Sequence, residues 1–87
     1  MKFQLGKVVI TRGSLSELSQ DDIITALGRH SDGDWGEVCK EDKEENELSL
    51  KHGYRILSAY RTDKNVRFWI ITEADRSATT ILLPEEY

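Results

Sequence analysis

One cysteine, one proline and two histidines are found in 87 residues, and only 8% of the chain is aromatic. A lone Cys39 cannot build a disulfide framework, which fits a reducing cytoplasm better than a secreted mini-scaffold. His30 and His52 have no H-x-x-x-H spacing and no cysteine pair beside them, so the common zinc patterns are missing. There is no G-x-S-x-G, no P-loop and no G-x-G-x-x-G, which leaves acyl transfer and nucleotide hydrolysis without their usual hardware. No apolar run approaches the ~20 residues that cross a bilayer as a helix. Met1-Lys2-Phe3-Gln4-Leu5-Gly6 also lacks the apolar stretch of an export signal, so a cytoplasmic location is expected.

What is present is one small domain, residues 1–87, with an expected radius of gyration of about 12 Å. A chain this short buries only about 60–65% of its unfolded surface, which leaves little room for a deep substrate cavity. Its 12 basic and 16 acidic groups give a net charge of −4, unevenly placed. Residues 32–47 hold eight acids against Lys40 and Lys43, a local charge of −6, and the remainder sums to +2. A nearly neutral body carrying one acidic segment suits nucleic acid poorly, because affinity there comes from cations that displace counterions. The same segment can steer toward a basic protein surface, or simply be a solvated face.

The hydrophobic pattern predicts an α+β fold. Phe3, Leu5, Val8, Val9 and Ile10 mark a strand over 3–11, bent at Gly6 and ended by the turn residues Thr11-Arg12-Gly13-Ser14. Ser19 with Asp22 three residues on has the layout of a capping box, opening a helix over about 20–30 with Ile23, Ile24 and Leu27 on its apolar face. Arg29 and His30 fall near the helix end, where the dipole favours cations. A second, weaker helix is expected within 37–52 and ends near Gly53; its apolar positions are only Val38, Cys39, Leu48 and Leu50. From Tyr54 the period changes to two, giving strands at 54–61, 66–73 and 78–83 separated by short polar turns. The strand around Phe68-Trp69-Ile70-Ile71 is apolar on both faces and belongs in the middle of the sheet. The expected architecture is a four-stranded, mostly antiparallel sheet in the order β-α-α-β-β-β, with two short helices on one face. The other face is then free for solvent or for a homodimer partner.

Few residues carry a recognisable chemistry. An EF-hand loop begun at Asp32 would place Glu37 at the glycine position and Lys43 at the bidentate acid, so no calcium loop is expected. Glu73-Ala74-Asp75-Arg76 presents two acids and an arginine at a strand end, which is equally an ordinary hairpin turn. Tyr54, Tyr60, Phe68 and Trp69 with Arg55, Arg61 and Arg67 could be a base-stacking sheet, but the helix order and the negative balance favour core or self-association for these rings.

The stretch Phe68-Trp69-Ile70-Ile71-Thr72-Glu73-Ala74-Asp75-Arg76-Ser77-Ala78-Thr79-Thr80-Ile81-Leu82-Leu83-Pro84-Glu85-Glu86-Tyr87 resembles a family of small bacterial and phage proteins labelled "plasmid-related protein". Phe3-Gln4-Leu5-Gly6-Lys7-Val8-Val9, Thr11-Arg12-Gly13 and Gly33-Asp34-Trp35-Gly36 are similar to it as well. The resemblance implies an accessory role on mobile genetic elements and brings no catalytic residues.

The leading expectation is therefore a non-enzymatic module that binds a protein partner through the acidic segment 32–47 and the turn 72–77. Asp34, Trp35, Asp42, Asn46, Glu73, Asp75, Arg76 and Ser77 are its candidate contacts, with no cofactor and no metal. A second reading is a nucleotide-like ligand held by Trp35 as a stacking plane, Glu73, and Arg76 as a forked cation. A third is a metal-dependent hydrolase built on Glu73 and Asp75.

Overall fold

The computed structural model describes residues 1–87, which run β1 (Lys7–Ile10), α1 (Arg12–Glu17), α2 (Gln20–Ser31), α3 (Lys40–His52), β2 (Ile56–Arg61), β3 (Arg67–Thr72) and β4 (Ala78–Leu82). A 3₁₀ turn at Pro84–Glu86 follows, opened by the proline that ends the last strand. The strands form one sheet in the order β1-β4-β3-β2. β2, β3 and β4 make the expected antiparallel meander, with Ile70 between Ser58 and Ile81. β1 lies parallel to β4, Lys7 beside Ala78 and Ile10 beside Ile81, so the sheet is mixed. Parallel neighbours need a long crossover, and here everything between Ile10 and Ala78 supplies it.

Leu18, Ile23 and Ala26 from the helical layer meet Tyr60, Phe68, Ile70, Ile81 and Leu83 in one core. Ile56, Ile70 and Ile81 are wholly buried, each contributing about 1.5–3 kcal/mol of transfer free energy. The radius of gyration is 12.0 Å, the value expected for one domain of this length.

α2 opens on the expected capping box: Ser19 Oγ accepts from Asp22 N and the Asp22 carboxylate accepts from Ser19 N, both at 3.0 Å. Its buried face is Ile23, Ala26 and His30, leaving Ile24 63% exposed. The helix is thus turned by about one position from the expected face, and that rotation carries His30 inward.

Three helices form rather than two. Arg12–Glu17, which reads as a turn, is a short helix capped by Thr11, whose Oγ1 accepts from Ser14 N at 3.2 Å. The carboxylate of Glu86, at the other end of the chain, accepts from the Thr11 hydroxyl at 2.6 Å and from Gly13 N at 3.1 Å. The Thr11 bond, with a further one from Leu83 N at 2.8 Å and that from Gly13 N, lowers the Glu86 carboxyl below its ordinary value. A Cβ on Gly13 would meet that carboxylate at 2.7 Å, so a larger residue there would have to displace the Glu86 side chain from these bonds.

α3 does not cover a sheet face. It runs along the outer edge of β2 and buries only Asn46 and Ser49. The Asn46 side chain acts as a surrogate strand: Nδ2 donates to Leu57 O at 2.7 Å and Oδ1 accepts from Leu57 N at 3.1 Å. Ser49 Oγ donates to Arg55 O at 3.1 Å. Ahead of the helix, Ala59 N donates to Trp35 O at 3.1 Å and Glu37 N donates to Ala59 O at 2.7 Å. That bridging explains why α3 begins at Lys40 and not at residue 37.

The second sheet face is partly covered by the chain's own tail. The Tyr87 ring lies 5.6 Å from Trp69, and Arg55 donates to its hydroxyl at 2.7 Å. Beneath them Ile71 and Leu82 are 4% and 6% exposed. The face expected to be free for a homodimer is therefore only partly free. No helix is long and apolar enough to cross a membrane.

Candidate functional site

The core face of the sheet carries three hydroxyl residues among its apolar ones, and they converge on His30. Ser58 Oγ lies 2.5 Å from His30 Nδ1, and Thr72 Oγ1 lies 2.9 Å from Nε2. Thr72 Oγ1 is 2.7 Å from Thr79 Oγ1, which donates to Leu5 O at 2.7 Å. Counting hydrogens sets every direction in this line. Thr79 spends its proton on Leu5, so Thr72 donates to Thr79, and His30 Nε2–H donates to Thr72. Neutral Nδ1 is left to accept from Ser58.

All four side chains are wholly buried, and burial, with the Arg76 charge as a lesser cause, pushes the imidazole down to about 4. Ser58 and His30 have the contact of a nucleophile and its base. No substrate reaches that hydroxyl, however, and the far nitrogen faces a threonine and not a carboxylate. The line is a polar seam through the core, and His30 is a buried neutral hydrogen-bonding hub rather than the exposed helix-end cation that the sequence suggests.

Stability should therefore depend on His30. The unfolded imidazole titrates near 6.5 and the folded one at about 4. Above pH 6.5 the seam contributes in full. Between about pH 6.5 and 4 only the unfolded chain takes up the proton, so stability falls by up to about 3 kcal/mol across that window. Urea titrations at pH 7 and pH 4.5 should show this slope in the native protein and lose most of it in His30→Gln, whose amide does not titrate.

Most of the predicted contacts are absorbed into the framework. Trp35 is 5% exposed; its ring stacks 6.2 Å from Phe3 and its Nε1 donates to Glu47 at 2.8 Å. Asn46 is the edge surrogate described above. Asp34 accepts from Arg29 Nε at 2.7 Å and Nη2 at 3.3 Å, a bidentate pair that holds its carboxyl low. Arg76, at φ 61°, donates to four carbonyls: Tyr54 O at 2.7 Å, Ser49 O at 2.9 Å, and Glu73 O and Ala74 O at 3.2 Å. Asp75 accepts from Ser77 N at 3.0 Å, an Asx-type turn.

Those Arg76 bonds tie the 72–77 turn to Ser49 and Tyr54 at the C-terminal end of α3, just beyond the acidic segment 32–47. Glu73, Asp75 and Ser77 remain exposed at that corner. Asp42 is exposed too, about 10 Å further along the axis of α3 from Ser49, at 1.5 Å per residue. The Arg29–Asp34 clamp, the Phe3–Trp35 stack and the His30 seam all escape a reading of the sequence. Ser58, Thr72 and Thr79 alternating among core isoleucines were the available signal for the seam, because buried hydroxyls demand partners.

A nucleotide at this corner would have to displace both Trp35 and Arg76 from these bonds. A cleft of about 310 Å³ between α2 and the β2–β3 turn offers no substitute, because its two arginines are committed, Arg29 to Asp34 and Arg61 to Glu37 at 3.1 Å. No group of three or more histidine, cysteine, aspartate or glutamate side chains is placed to hold a metal ion. No family model, curated protein or solved structure matches the chain.

Proposed function

We propose that this chain is a non-enzymatic binding module, an accessory protein of a mobile genetic element, which engages a basic protein partner through the outward face of α3 and the adjoining 72–77 turn. One observation carries the reading. α3 buries only two residues, the polar anchors Asn46 and Ser49, and is further tied down by Trp35 on Glu47 and Arg76 on Ser49 O, while Glu41, Asp42, Glu44 and Glu45 are all exposed to solvent. A helix that adds so little to the core and shows so much charge is suited to recognition. The resemblance of the closing stretch to the plasmid-related family supports the mobile-element context. The single exposed Cys39 is compatible with a reducing cytoplasm as the site of action.

The test compares capture of partners from host lysate by the native chain and by a variant carrying Glu41→Gln, Asp42→Asn and Glu45→Gln. Asp34 is left intact, because neutralising it would free Arg29. The expected result is a partner held by the native chain, released by raised salt, and associating at least about tenfold more slowly with the variant. Equal capture by both chains, or capture indifferent to salt, would overturn the reading.

A further inference from the structure

The two edges of the sheet are treated differently. Along β2 the outward backbone groups are taken up by Asn46, Ser49, Trp35 and Glu37. Along β1 nothing covers them. Lys7 N donates to Ser77 O and Thr11 N donates to Ile81 O, both at 3.0 Å. By the alternation of a parallel ladder, Val9 also turns its backbone toward β4, and Val8 and Ile10 therefore turn theirs outward. Val8 and Val9 are 41% and 39% exposed on this edge.

We propose that β1 is the contact through which two copies of the chain pair, antiparallel, about a two-fold axis at Val9. A two-fold axis normal to a sheet keeps each residue on its own face, so a residue must lie opposite itself or opposite one of equal parity. The outward groups of Val8 and Ile10 are symmetric about Val9. Val8 of one copy therefore exchanges both backbone bonds with Ile10 of the other, and the reverse, while Val9 faces Val9 in a non-bonded pair. This register sets Lys7 opposite Thr11, whose hydroxyl already holds the Glu86 carboxylate. Lys7 is exposed, and the pairing brings its ammonium to that carboxylate on the neighbouring copy, twice by symmetry. Charge complementarity thus selects this copy-to-copy register. The contact is four residues long, so it belongs with weak interfaces below about 1,200 Å².

The decisive experiment is disulfide trapping in a Cys39→Ser background. Cα atoms of a non-bonded antiparallel pair lie about 4.5 Å apart, within disulfide reach. At about 1 mM chain, enough to populate even a millimolar Kd, Val9→Cys should give a covalent dimer as the main product of mild oxidation. Ala59→Cys, on the far side of the second sheet face, should stay monomeric. Val8→Pro removes an outward amide without taking an internal bond. In the Val9→Cys chain it should cut the trapped dimer at least tenfold, with the circular dichroism of the fold retained. Lys7→Glu, which leaves the backbone intact, should cut it several-fold. Trapping at Ala59 and not Val9 would replace the edge with a face-to-face dimer, and trapping at neither site would leave no self-association to explain. Either result overturns the proposal, and neither touches the α3 surface that binds a foreign partner.

Discussion

Replacing His30 with alanine should remove about 3–5 kcal/mol of folding free energy, as much as truncating a large apolar core side chain. Two penalties combine. The cavity left by a wholly buried ring costs its share of packing, and in a region sealed from water Ser58 loses its acceptor while Thr72 loses the donor at its oxygen and keeps only Thr79. Small domains hold only about 5–15 kcal/mol in total, so the variant should sit close to its unfolding threshold. Urea denaturation followed by circular dichroism measures the loss. His30→Phe separates the causes, since it restores volume while leaving Ser58 without its acceptor and Thr72 with Thr79 as its remaining partner. It should recover only part of the stability, because each unsatisfied buried group costs about 1–3 kcal/mol. A loss below about 1 kcal/mol for His30→Ala would mean that the seam contributes little.

A comparable effect is expected at Gly36. Its φ is +74°, and a Cβ built there would lie 2.0 Å from the carbonyl oxygen of Ala59 and 2.7 Å from the Tyr60 ring. Gly36→Ala meets the left-handed penalty of about 1–2 kcal/mol and must also push the 35–37 segment away from β2. Two short backbone bonds, Ala59 N to Trp35 O and Glu37 N to Ala59 O, go with it. The summed cost is about 3 kcal/mol, which for a domain of this size lowers the thermal midpoint by roughly 12–24 °C. Hydrogen exchange gives a sharper reading. The Ala59 amide should lose its protection, while the Leu57 amide, held by Asn46 from α3, should keep it.

The elements that a sequence reveals here are those set by local pattern. Three β-rich runs split by short polar turns place β2, β3 and β4, and Ser19 with Asp22 places the start of α2. Gly53, at φ 74°, ends α3 where expected. What stays hidden depends on residues far apart in the chain. The six residues of α1 contain Gly13, Ser14 and Ser16, poor helix formers, and their helix is secured by Glu86 more than seventy positions away. The parallel placement of β1 leaves no local mark. Gly6, at φ 64°, breaks the expected strand before Lys7, where β1 begins, and Phe3 is released into the cluster with His30 and Trp35.

The candidate site follows the same rule. Asp42, Glu73, Asp75 and Ser77 stand exposed, as charged and polar residues in a turn or on a thin helix usually do. Trp35, Asn46 and Arg76 look equally unusual in sequence, but for another reason. Each completes a backbone or a core contact that only the folded chain supplies.

The parallel ladder also has a consequence for assembly on the ribosome. Val8 and Val9 are made about 70 residues before Thr79 and Thr80, their only neighbours in the sheet. At roughly 5–20 residues per second, that leaves a valine-rich strand unpartnered for several seconds of synthesis. The meander of β2, β3 and β4 can form as it emerges, but the helical layer closes over a finished core only when β1 returns to dock beside β4. β1 thus waits for the last of the four strands before it has a neighbour in the sheet. In that interval a chaperone, or a strand of another nascent chain, has its best access to this protein.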